Sequence, residues 1–127
     1  MKLPLAVSLL LLIAALGWTG CDDKKKVNWL DQANCTGIDA TTNTYDLSIK
    51  TVLDASCALS GCHDAATASN GVNLSTYLGA KSAFEEGNAL CAINHGDDCF
   101  QMPKGGSKLP QATINVLACW AKNGYKQ

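Results

Sequence analysis

Seven cysteines fall within 127 residues. That density in a short chain calls for disulfides or for a cofactor held through sulfur, because reduced intracellular proteins rarely carry so many thiols unless they bind metal. Two of the seven stand in Cys57-Ala58-Leu59-Ser60-Gly61-Cys62-His63, with four residues between the thiols and an imidazole directly after the second. Whatever fold the chain adopts has to satisfy this cluster.

The first segment reads as an export signal. Lys2 gives a positive start, and Leu3 to Gly17 is a nearly unbroken apolar run rich in Leu and Ala. At about 15 residues it is short for a membrane span, which needs roughly 20, and it matches the apolar region of a secretory signal. The run ends in Gly17-Trp18-Thr19-Gly20-Cys21. Small residues before a cysteine resemble the lipobox of bacterial lipoproteins, in which that cysteine becomes the lipidated N-terminus. The resemblance implies a signal peptide over 1–20, lipidation of Cys21 and a membrane lipoprotein facing the periplasm or the cell surface. An ordinary cleaved signal or an uncleaved anchor is the alternative. Residues 21–44 are polar and aperiodic, and are expected to be a tether pinned in part through Cys35.

The folded domain is expected over 45–127. At roughly 80 residues a hydrophobic core alone is marginal, and a large apolar cofactor would help to fill it. Leu47 to Leu59 reads as a helix with a stripe of Leu47, Ile49, Val52 and Leu53. Residues 65–73 are small and polar and read as a loop. Ser75 to about Leu90 reads as one helix or two short ones, weakened by Gly79 and Gly87. A glycine-rich loop follows over 96–108. The last helix has Pro110 in its first turn, an apolar face of Ile114, Leu117, Ala118 and Ala121, and Gly124 as its stop. With no alternating pattern of useful length, the expected class is all-α: three to four helices with long loops.

In the Cys57–His63 cluster, two thiols can form thioethers to the vinyl groups of a haem while the adjacent imidazole reaches the iron from one face. The common spacing places two residues between the cysteines, and this chain has four. Gly61 supplies backbone freedom for the wider turn. The opposite face of the iron needs a ligand. Apart from Met1 the only methionine is Met102, in a glycine-rich loop and followed by Pro103. A thioether ligand favours ferrous iron and raises the potential, and the proline stiffens the loop.

From Tyr45 to Gly124 the chain then resembles a family of small bacterial monohaem cytochrome c domains. The shared stretches read here Gly71-Val72-Asn73-Leu74-Ser75-Thr76-Tyr77, Ala92-Ile93-Asn94-His95, Met102-Pro103-Lys104-Gly105-Gly106, and Trp120 to Gly124. The resemblance implies a cytochrome c-like fold around one covalent haem c, Cys57 and Cys62 as its anchors, and His63 and Met102 as axial ligands. It also implies single-electron transfer with redox partner proteins. The widened spacing is where the chain departs from the family's common motif.

Competing readings attach to the same residues. Cys57 and Cys62 can form a disulfide. His95 is the alternative distal ligand, or else a hydrogen-bonded loop residue, the reading we favour. Cys57, Cys62, His63 and His95 are four zinc-ligand types, at a spacing that matches no common zinc site. Cys35, Cys91, Cys99 and Cys119 allow three pairings; we favour Cys91 with Cys99 across the His95 loop, and Cys35 with Cys119. A displaceable sixth ligand would make the chain a haem sensor or enzyme, and absence of haem a disulfide-stapled lipoprotein. Catalysis is not expected: no triad or phosphate loop is visible, and the neighbours Asp97-Asp98 and Glu85-Glu86 do not converge on one helix face. Ten basic residues, all lysine, against eleven acidic give a net charge of -1, so nucleic acid is not an expected partner.

Overall fold

The computed structural model describes residues 27–127. The segment expected to be an export signal and Cys21 lie outside the described residues. Among the described residues there is no strand, and the class is all-α. A π-helical turn, Tyr45–Ile49, runs directly into α1, Lys50–Ser56. A short 3-10 turn follows at Ser69–Gly71, then α2, Tyr77–Glu85, α3, Ala89–Ile93, and α4, Gln111–Lys122. No helix among the described residues is long and apolar enough to cross a membrane.

Threonines start two of these elements. The Thr44 hydroxyl accepts from the Leu47 N–H at 3.4 Å, and Thr76 accepts from the Gly79 N–H at 3.2 Å. Each satisfies one of the donors that a helix start leaves without an internal partner. Pro110 stands one place earlier than expected, as the cap residue of α4, where its carbonyl accepts from the Ile114 N–H at 3.1 Å. At the far end Gly124 has φ +83°, the left-handed conformation that suits a helix stop.

Phe84 and Leu90 send the core sides of α2 and α3 toward α4, whose Ile114, Leu117, Ala118 and Ala121 are all buried, as their helical spacing predicts. Residues 86–88 separate α2 from α3 at the expected glycine, Gly87. The first helical stripe differs from expectation. Ile49 and Leu53 are fully buried, but Leu47 is 68% exposed and Tyr45 takes the inward position. The π-helical turn accounts for this: a wider turn rotates the residues that precede α1 relative to its buried face.

Trp120 is fully buried and sits among aromatic rings, with Phe84 and Tyr125 edge-on at centroid distances of 5.9 Å and 5.2 Å. The chain terminus closes over this cluster. The Lys126 carbonyl accepts from the Trp120 indole N–H at 2.7 Å and from the Tyr45 backbone N–H at 2.8 Å. Tyr77 adds a bond from its hydroxyl to the Tyr125 carbonyl at 2.8 Å. The Lys126 carbonyl thus links α4 to the turn that precedes α1.

The stretch expected to be a tether is, from Val27 onward, laid against the domain. Trp29, Leu30 and Ala33 pack on the core. Asn43 is buried and donates from its side-chain amide to the Val116 carbonyl at 3.0 Å. Cys35 is bonded to Cys119 on α4, and Cys91 to Cys99.

Candidate functional site

Cys57 is the residue at which α1 ends, and the chain then turns back on itself. The Cys62 N–H donates to the Leu59 carbonyl at 2.9 Å, and the His63 N–H to the Cys57 carbonyl at 3.2 Å. Gly61 sits in this turn with φ +80°, a conformation costly for a residue with a Cβ. Thr67 braces the turn by accepting the Gly61 N–H on its hydroxyl at 3.2 Å. The four residues between the cysteines therefore form a compact hydrogen-bonded turn.

The His63 ring is oriented by a backbone group. Its Nδ1 is 3.1 Å from the Val72 carbonyl oxygen. A carbonyl can only accept, so Nδ1 carries the hydrogen and Nε2 of the neutral ring is left with a free lone pair. The chain that brings Val72 there is itself tied down: the Leu74 N–H donates to the His63 carbonyl at 2.8 Å.

Cys57, Cys62, His63 and Met102 all line one cavity of about 1060 Å³. Its size is near the upper end for small-molecule sites, roughly 300–1,000 Å³. Leu53, Val72, Leu74, Phe84, Ile93 and Leu109 contribute apolar wall, and Lys104 with Asp97 and Asp98 contribute charge. Phe100, at 89% exposure, and Leu59 are large apolar side chains on the same cavity that remain open to solvent.

Met102 is held from the backbone. Its N–H donates to the Ala92 carbonyl near the end of α3 at 3.0 Å. The Met102–Pro103 peptide is cis, and Gly106 closes the following turn by donating to the Pro103 carbonyl at 3.1 Å. His95 is placed differently. It lines a second cavity of about 600 Å³ beside Trp29, and its Nε2 lies 3.1 Å from the Met102 carbonyl oxygen.

Among the described residues Cys57 and Cys62 are the two cysteines without a disulfide partner. Burial, and secondarily the neighbouring Cys62, push the Cys57 thiol up to about 11. It is therefore protonated at neutral pH and a weak nucleophile. No group of three or more His, Cys, Asp or Glu among the described residues is placed to hold a metal ion by itself.

The residue set fits a haem in three respects. The cavity is large and mostly apolar-walled, the two unpaired cysteines line it, and His63 and Met102 join them from separate loops. Sequence reasoning named those four side chains but missed the carbonyls of Val72 and Ala92 that position two of them. Every residue has a carbonyl, so no side-chain pattern marks these two. Trp120 lies in the aromatic core. Comparison with known proteins returned no match to a family model, to a characterised protein or to a solved structure.

Proposed function

We propose that this chain is a membrane-anchored, monohaem c-type cytochrome that passes single electrons. Cys57 and Cys62 form the thioether links, His63 is the proximal ligand through Nε2, and Met102 is the distal ligand. The domain is, on this reading, a small cytochrome c-like fold. Haem supplies an iron that cycles between ferric and ferrous, and two protein ligands leave no open position for a substrate, so the chain is read as a carrier and not as an enzyme. Cys21 carries the lipid that holds the domain at a bacterial membrane, where redox partner proteins meet it.

The observation that carries this reading is the sorting of the cysteines. Four of those described are consumed in disulfides, and the two left over open on the one cavity that also receives His63 and Met102. A protein that used Cys57 and Cys62 only as structural staples would be expected to oxidise them as well.

The test is direct. The chain is exported in a host with a haem-attachment system, denatured in acid acetone and analysed by gel and pyridine haemochrome. One haem per chain should stay with the polypeptide, and Cys62→Ser should abolish holoprotein. A colourless polypeptide under these conditions overturns the proposal.

A further inference from the structure

We infer that His95 is a positioning residue for the sixth iron ligand: its ring N–H holds the Met102 carbonyl and so fixes the loop that presents the Met102 sulfur. This rests on the haem reading above. His95 and Met102 are seven residues apart, and the His95 Nε2 is 3.1 Å from the Met102 oxygen. Since the carbonyl only accepts, Nε2 carries the hydrogen, and that nitrogen is committed to the backbone.

The rest of the loop shows why this bond matters. Met102 is gripped on both sides of its own residue, through its N–H by the Ala92 carbonyl at 3.0 Å and through its carbonyl by His95. Both partners lie in or just after α3. Gln101 adds a return contact, its side-chain amide donating to the His95 carbonyl at 3.4 Å. His95 itself holds φ +57°, a region that few residues with a Cβ occupy. The peptide turn there aims the ring across the loop. The Cys91–Cys99 disulfide closes the eight-residue span that contains this turn. Without the ring donor, the Met102 carbonyl is part-buried and short of one partner, and the loop is free to carry the sulfur away from the site.

The experiment uses the full-length ferric holoprotein with added imidazole as an external ligand. Methionine ligation is followed by the weak red charge-transfer absorption of sulfur-bound ferric haem. His95→Ala should weaken that absorption and raise the affinity for imidazole about tenfold, the effect of one lost hydrogen bond. His95→Gln, whose amide can also donate, should stay within about twofold of the parent. In a Met102→Ala background His95→Ala should change imidazole affinity no further. Unchanged affinity in His95→Ala overturns the inference, and so does failure of His95→Gln to restore it.

A second measurement needs no substitution. Nitrogen-15 spectra of the reduced parent protein should show the His95 hydrogen on Nε2. A hydrogen on Nδ1, or Nε2 bonded to iron, overturns the inference. A parent protein that carries no covalent haem overturns the functional reading itself, and that result is distinct from all of these.

Discussion

The His63 Nδ1 and the Val72 carbonyl oxygen are 3.1 Å apart, although the two residues are nine apart along the chain. This bond sets the tautomer and the direction of the ring, and on the proposed reading it leaves Nε2 as the nitrogen that would meet the iron. The residues between them form a tied loop rather than a flexible one: the Ser69 N–H donates to the Cys62 carbonyl at 2.9 Å, and Leu74 closes back on His63 at 2.8 Å. The His63 side of the cavity is therefore built by local hydrogen bonds. Met102 reaches the same cavity from a separate loop hung on α3.

Met102→Ala should remove the sulfur ligand while leaving the covalent haem in place. The red charge-transfer absorption of the ferric form should disappear, and reduced protein should bind carbon monoxide at neutral pH. The potential should fall, because thioether ligation favours the ferrous state. Spectroelectrochemical titration of parent and variant measures the shift. Retention of the absorption in the variant would show that another residue holds the iron.

Replacing both Cys35 and Cys119 with serine should destabilise the domain more than replacing both Cys91 and Cys99. The first bond joins residues 84 apart and the second residues 8 apart. Chain-entropy arguments give roughly 4.5 kcal/mol for the long loop and about 2.5 kcal/mol for the short one. Denaturant unfolding of the two double variants checks the order. Loss of the long bond should also free residues near Val27 to Asn43 for early proteolysis, because Cys35 is their covalent tie to α4.

Protein produced without haem should lose stability as the pH rises from about 9 toward 11. The Cys57 thiol has an ordinary value of 9.0 and is pushed up to about 11 by burial in the fold. A raised folded value means that the folded state keeps its proton longer. The contribution is complete below the unfolded value and is lost through the folded one. Its size is on the order of 2–3 kcal/mol. Urea midpoints across this range, compared with Cys57→Ser, isolate the effect; the variant should show a shallower slope. Tyr45 and Tyr125, also raised by burial, contribute at the upper end in both proteins.

Mass spectrometry of the mature N-terminus should find a diacylglyceryl-modified Cys21, and Cys21→Ser should move the protein from the membrane fraction to the soluble one. The motif Thr19-Gly20-Cys21 after an apolar run motivates this. An unmodified N-terminus beyond Cys21 would instead make it a soluble exported protein.

What the sequence determined by itself was local. The apolar spacing of Ile114, Leu117, Ala118 and Ala121 marks the buried face of α4, because helical periodicity is a property of neighbours along the chain. Gly61 and Gly124 mark a turn and a helix stop, and both hold positive φ. The all-α class follows from the same short-range patterns. Only the tertiary structure decided that Tyr45 and not Leu47 faces the core, that residues from Val27 onward pack on the domain, and which of three cysteine pairings forms. These depend on contacts between residues far apart in the chain. It alone also decided which backbone carbonyls hold His63, Met102 and His95, since a carbonyl becomes distinctive only when folding aims it at a partner.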